Sequence, residues 1–151
     1  ALAALPIGGV LPMIKEPDGD FIWQNSNRPL IFIAGGIGIT PFYSILKQRH
    51  HDNQPLNATL IYSGRDENLP FKAEFDKWSK AYPEFTVKYV IGERLTAEKL
   101  AEVYPPINSS VVYLSGPEPM VEAIGADLER SGLSHDQLEQ DFFPNYSEAN
   151  Y

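Results

Sequence analysis

The sequence predicts an α/β fold, a doubly wound sheet of five parallel strands with helices on both faces. Short apolar runs alternate with amphipathic stretches from Leu30 onward, which is the rhythm of strands joined by crossover helices. Some of these runs are apolar almost throughout, as in strands that are covered on both faces. Turns that contain glycine follow the first and the fourth run, and such sheets bind ligands at the carboxyl ends of their strands.

In the first half of the sheet we expect strands over residues 30–34 and 59–63, each followed by a helix. The first helix is predicted over residues 41–48, with Thr40 as its N-cap and a proline at its first position. The second is predicted over residues 71–81, where three aromatic residues fall on one face.

The second half completes the pattern. Three further strands are predicted, at residues 85–91, 111–114 and 138–143. A short helix is predicted to begin over residues 96–100. A longer helix is predicted over residues 118–130, with a proline at its start and Gly132 after its end.

The leading residues do not follow this rhythm. We expect an extended segment, a turn and a short strand at residues 10–14, 17–19 and 21–23. A hairpin of this size is marginal alone. The sequence then becomes polar, so we divide the chain into residues 1–27 and a main domain of residues 28–151.

Composition narrows the classes of function. Apolar residues make up 43% and charged residues 21% of the chain, and these are globular values. The formal charge of −8 argues against a nucleic-acid partner, which needs a basic face. With no cysteine there is no disulfide or thiolate site. We assign no metal site, because His50 and His51 have no ligand pattern around them, and no serine-hydrolase motif surrounds Ser115.

The most informative segment is the turn Gly-Gly-Ile-Gly-Ile-Thr-Pro at residues 35–41. Glycines let backbone N–H groups approach a pyrophosphate, and the following helix N-terminus favours negative charge. From Gly36 the turn nearly matches the common dinucleotide fingerprint, but its sixth position is Pro41. The alternative is a tight strand-to-helix turn with no ligand.

A second turn, Ser-Gly-Pro-Glu-Pro-Met at residues 115–120, follows the fourth strand. It could be a proline-rich helix cap. Together, however, the two turns could flank one crevice at the point where the strand order reverses. If Gly38 faces the ligand, we expect Gly38→Val to block binding at little cost in stability. If it serves only a left-handed turn, we expect strong destabilisation.

These motifs resemble the ferredoxin-NADP reductase superfamily. Its members carry Gly-Gly-x-Gly-x-Thr-Pro after the first strand of the nucleotide domain, as at residues 35–41, and Cys-Gly-Pro-x-x-Met after the fourth. Here the second motif has Ser115 in place of cysteine. Residues 61–65 and 70–75 are similar to the family's second strand and helix, and the likeness spans roughly residues 11–146.

The resemblance implies a set of site residues. The pyrophosphate and the nicotinamide-side ribose would be held by Gly36, Gly38 and Thr40. The nicotinamide ring would be bordered by Ser115, Gly116 and Pro117. Gly35, Pro41 and Met120 would also belong to the cofactor-binding set. Ser115 and Thr40 would be the catalytic residues, and Tyr146 would lie near the flavin ring.

The end of the second strand distinguishes NADP from NAD. An acidic residue there would bind the ribose 2′-hydroxyl, whereas an arginine accommodates a 2′-phosphate. The strand ends in Ser63 and Arg65, with Lys72 further on. Arg65 therefore favours NADP slightly, the alternative being a solvated arginine beside Asp66.

The family's flavin signature, Arg-x-Tyr followed by Ser or Thr, is absent from the sequence. Residues 12–21 are nevertheless similar to the last strands of the family's FAD-binding barrel. The resemblance thus implies the NAD(P)H-binding half of an FAD-dependent oxidoreductase, with most of the barrel upstream or on another chain. It also implies an electron-transfer partner of unknown identity and a place in the cytoplasm or on the cytoplasmic face of a membrane reductase. The alternative is a nucleotide-binding or regulatory module without turnover.

Overall fold

One parallel sheet organises the protein in the computed structural model, which describes residues 21–143. Its strands are β1 Leu30–Gly35, β2 Ala58–Gly64, β3 Phe85–Ile91, β4 Val111–Pro117 and β5 Leu138–Phe143. Their order across the sheet is β3-β2-β1-β4-β5, and every neighbouring pair is parallel. The predicted fold class is confirmed.

Four α-helices connect the strands. They are α1 Ile39–His51, α2 Lys72–Ala81, α3 Ala97–Val103 and α4 Glu118–Arg130. Within residues 21–143, three short 3₁₀ helices, which the sequence did not predict, lie at Gly36–Gly38, Pro105–Ser109 and His135–Gln137. None of the helices in the described part of the chain combines the length and apolar character needed to cross a membrane.

The core has two layers because successive side chains of a strand point to opposite faces. Phe32 of β1 packs with side chains of α1 and α2 on one face. Ile31 and Ile33 pack with α3 and α4 on the other. All six residues of β1 are buried, which explains why its sequence is apolar without alternation.

The strands that follow β1 are added on both sides of it. It runs outward through β2 and β3 and then returns to place β4 on the other side of β1. The carboxyl ends of β1 and β4 are therefore neighbours, with Ala34 opposite Ser115. This is the topological switch point of the sheet, as the two glycine-containing turns predicted.

The start of α1 differs from the prediction. Thr40 is not the N-cap, because its hydroxyl donates to the carbonyl oxygen of Ile37 at 3.0 Å within the first turn. The 3₁₀ turn Gly36–Gly38 leads directly into the helix, and Gly38 is the N-cap. Pro41 is the third helical residue, where no intrahelical partner for an N–H is lost.

The start of α2 also differs, by one residue. Phe71 precedes the helix in the left-handed region, with φ 61°, which is unfavourable for a bulky side chain. Its ring stacks on that of Tyr43 with centroids 3.8 Å apart. Packing against α1 thus compensates for the backbone conformation.

The strand predicted at residues 21–23 is not formed. The hydrogen bond to the Ile22 carbonyl comes from the hydroxyl of Tyr113 at 2.7 Å rather than from a neighbouring strand. Phe21 and Trp23 both pack on the layer of α1 and α2. The segments predicted at residues 10–14 and 17–19, and Tyr146, lie outside the described residues.

Candidate functional site

A cleft of about 950 Å³ opens at the carboxyl edge of the sheet. The loops after β1, β2, β3 and β4 line it, and the side of α4 forms one wall. Of the predicted site residues, those that line the cleft are Gly35, Gly36, Ser63, Arg65, Pro117 and Met120. The two glycine-containing turns therefore do flank one crevice.

Gly38 joins the two turns rather than facing the cleft. A Cβ at this position would clash with the backbone carbonyl of Ser115. The φ of Gly38 is −60°, which any residue can adopt. The glycine is thus required for the close approach of two backbones, which is neither of the two roles considered from the sequence, and Gly38→Val should destabilise the domain.

Gly36 is the residue in this turn that needs glycine's conformational freedom, with φ 51°. It lies on the cleft, at the turn that leads into α1. The first N–H groups of a helix lack intrahelical partners and carry partial positive charge. No acidic side chain lies in the first turn of α1, so the arrangement suits an anion.

The start of α4 is less suited to an anion. Glu118 lies in its first turn, and Pro119 has no N–H to donate. A phosphate at the switch point would therefore bind at α1, while the α4 end contributes apolar surface from Pro117, Pro119 and Met120.

Ser115 is fully buried on β4, and its hydroxyl has no hydrogen-bond partner among residues 21–143. It faces the same side of the sheet as Tyr113, two residues earlier. A buried hydroxyl without a partner is costly. Such a group is suited to a polar ligand that enters from that side.

Two arginines lie at the basic end of the cleft, Arg65 after β2 and Arg94 after β3. The N–H of Gly92 donates to the carbonyl of Gly64 at 3.0 Å, which joins the two loops. Arg94 and its neighbours in this loop were not among the predicted site residues. The available signal was their position after a strand, because parallel strands end at the same edge.

The carboxylates on this cleft are partly neutralised. Glu93 pairs with Lys99 at 2.8 Å, and Asp127 pairs with Arg130. Arg94 forms no ion pair with a residue in the described range. These pairings leave the guanidinium of Arg94 available at the β3 end of the cleft, while Asp66 lies beside Arg65 at the β2 end.

Other predicted site residues lie off the cleft. They are Gly38, Thr40, Pro41, Lys72, Ser115 and Gly116. Lys72 pairs with Asp76 at 3.2 Å on α2 and lies 4.5 Å from the ring centroid of Tyr89. Burial raises the pKa of Asp76, but hydrogen bonds from Tyr89 and Lys72 outweigh it and lower that pKa below its usual value.

Among residues 21–143, no three His, Cys, Asp or Glu side chains come together in a way that could hold a metal ion. The polar groups at the switch point are backbone amides, the two arginines and the buried hydroxyl of Ser115.

Comparisons with known proteins agree with this geometry. The family model described as the oxidoreductase NAD-binding domain matches residues 32–125. A flavohemoprotein of Oceanobacillus iheyensis is 29% identical over 156 residues, which cover 93% of this chain and 37% of that protein. The inducible NADH nitrate reductase 1 of Glycine max is 31% identical over 157 residues, which cover 87% of this chain and 18% of that protein.

A solved structure shares the fold. The flavohem-like FAD/NAD-binding domain of nitric oxide dioxygenase from Vibrio cholerae superposes with a TM-score of 0.70 at 23% identity, covering 84% of this chain and 56% of that one. The chain spans little more than a third of the flavohemoprotein and less than a fifth of the nitrate reductase.

Proposed function

This chain belongs to the oxidoreductase NAD-binding domain family, and on that premise we propose that it binds NAD(P)H and presents the nicotinamide to a flavin. The observation that carries the proposal is that Gly35 and Gly36 line a cleft of about 950 Å³, in the turn that leads into α1, a helix with no acidic residue in its first turn. A dinucleotide needs an anion site and a groove of this order of size.

The pyrophosphate binds at Gly35 and Gly36, against the first turn of α1. Gly36 turns the backbone there in the left-handed region. Gly38 supports the turn from behind, through its contact with β4. Thr40 and Pro41, in that first turn, border the nicotinamide-side ribose.

The nicotinamide end lies by Ser115, Gly116 and Pro117; Pro117 lines the cleft, and Ser115 is buried behind it with a hydroxyl that has no partner among residues 21–143. When bound, the nicotinamide supplies the hydride, and the flavin accepts it. The protein's part is to hold the ring in place. A hydroxyl is less polarisable than the sulfur of the family's cysteine, so Ser115 affects the rate of transfer more than nucleotide affinity.

The preferred nucleotide is NADP(H), and Arg65 and Arg94 bind its 2′-phosphate. Guanidinium groups bind phosphate through paired hydrogen bonds. Of the three carboxylates that line the cleft, Glu93 and Asp127 already have basic partners and oppose this phosphate only weakly, whereas Asp66 accepts the N–H of Asn68 at 2.8 Å. In this respect the chain differs from the plant relative, whose name specifies NADH.

The flavin is held by an FAD-binding domain upstream or on another chain, and electrons pass on to a separate acceptor. The protein acts in the cytoplasm or at the cytoplasmic face of a membrane.

Two exposed alanines of α4 give a direct test of where the nucleotide binds. Ala123 lines the cleft, and Ala126, one turn further along, does not. Ala123→Trp places an indole in the cleft and should abolish NADPH binding in a calorimetric titration, while Ala126→Trp should leave the dissociation constant unchanged. Equal affinities in both variants would place the nucleotide elsewhere.

A second experiment separates an electron-transfer module from a binding module without turnover. NADPH is mixed without oxygen with a preparation that contains this chain and its flavin-binding domain. Loss of the oxidised-flavin absorbance at a rate that falls in Ala123→Trp supports hydride transfer. Tight NADPH binding with no loss of flavin absorbance would support the binding module.

A further inference from the structure

We propose that Met120 is a positioning residue of the nucleotide site, which sets the clearance between the turn after β1 and the turn after β4. This inference rests on the proposed function. Met120 lies in the first turn of α4 and lines the cleft while partly buried. It is the only methionine among residues 21–143.

The thioether of Met120 occupies the space that two absent side chains would need. A Cβ at Gly35 would clash with its Sδ and lie 2.7 Å from its Cε. A Cβ at Gly116 would lie 2.8 Å from the same Cε. One unbranched side chain therefore rests on a glycine of each turn, and a side chain at either glycine would displace it.

The same geometry distinguishes Gly35 from Gly38. At Gly38 an added Cβ meets backbone, which cannot move without shifting β4. At Gly35 it meets the end of a flexible side chain, which can rotate away. The open side available to Met120 is the cleft, so a side chain at Gly35 displaces the thioether into the space of the nucleotide.

A double-mutant cycle tests this coupling. Gly35→Ala should remain folded and weaken NADPH binding by about tenfold, since contacting residues couple by energies of this order. Met120→Ala removes the obstruction, so Gly35→Ala/Met120→Ala should bind NADPH as tightly as Met120→Ala alone. Met120→Ala should itself bind several-fold more weakly than the wild type, because the two turns lose their spacer.

Leu128→Ala is the matched control. Leu128 is a buried residue of α4 that does not line the cleft. Its loss should lower the melting temperature and leave the NADPH dissociation constant unchanged, which separates positioning from general loss of packing.

Two outcomes would overturn the inference while leaving the proposed function intact. One is an NADPH affinity that Met120→Ala does not change. The other is a loss of NADPH affinity on Gly35→Ala that is equally large in the Met120→Ala background. That result would mean that the new Cβ itself blocks the ligand. A wild-type chain that binds neither NADPH nor NADH would overturn the proposed function and this inference with it.

Discussion

Glycines at the switch point serve different physical needs, and substitutions separate them. Gly36 adopts a left-handed backbone conformation. Gly38 allows two backbones to approach each other, and Gly35 leaves room for the side chain of Met120. All three belong to one motif, so the motif alone does not distinguish them.

Gly38→Ala should destabilise the protein by about 2 kcal/mol, the usual cost of overpacking, because the new Cβ presses on the Ser115 carbonyl. Gly125→Ala in α4 is the control, since its Cβ meets only the side-chain amide of Gln140. Denaturant unfolding measures both. A loss in Gly38→Ala no greater than in Gly125→Ala would contradict the proposed backbone contact.

Arg65→Ala and Arg94→Ala should each remove most of the preference for NADPH over NADH. One charge-assisted hydrogen bond contributes roughly 1.5–3 kcal/mol, and NADH affinity should hardly change. Lys77→Ala removes an exposed charge of α2 away from the cleft and should leave the preference unaltered. Equal affinities for the two nucleotides in the wild type would refute the assignment of NADP.

At the scale of elements, the sequence predicted most of the sheet and less of the site. The strands Phe85–Ile91 and Leu138–Phe143 and the helix Glu118–Arg130 have the predicted bounds, because apolar periodicity and helix caps are local signals. The starts of α1 and α2 depend on packing between helices and turns, which single-residue preferences do not contain.

The candidate site was likewise predicted only in part. Both glycine-containing turns were found because their residue types are distinctive. The loop with Arg94 has no motif, and only the parallel topology brings it to the cleft. Lys72 was assigned to the nucleotide by its proximity in sequence, whereas its side chain pairs with Asp76 one helical turn away.

Thr96 is the N-cap of α3, a helix that begins beside the cleft. Its hydroxyl accepts the N–H of Lys99 at 3.2 Å and caps the helix. Thr96→Ala should lower the free energy of unfolding by about 1 kcal/mol. Thr96→Ser should retain most of the stabilisation by the cap, because serine also caps helices. Equal losses in the two variants, measured in denaturant, would show that the cap contributes nothing.

The whole molecule should lose stability at alkaline pH. Burial raises the pKa of Tyr113 to about 12, whereas an unfolded tyrosine titrates near pH 10. A tyrosine whose pKa is higher in the folded than in the unfolded state stabilises the fold fully below pH 10. This stabilisation is lost as the pH rises towards 12. Burial also raises the pKa values of Tyr62 and Tyr89.

The free energy of unfolding should therefore fall between about pH 10 and pH 12, and less steeply in Tyr113→Phe than in the wild type. Denaturant titrations at several pH values provide the measurement. An identical slope in the two proteins would mean that Tyr113 ionises as easily in the folded state as in the unfolded chain.

Thermal melting with and without nucleotide tests the central claim, that the cleft binds NAD(P)H, most directly. NADPH at a hundred times its dissociation constant should stabilise the wild type by about 2.7 kcal/mol, and Ala123→Trp should melt at the same temperature with or without it. A wild-type melting temperature that neither NADPH nor NADH changes at millimolar concentration would contradict the claim.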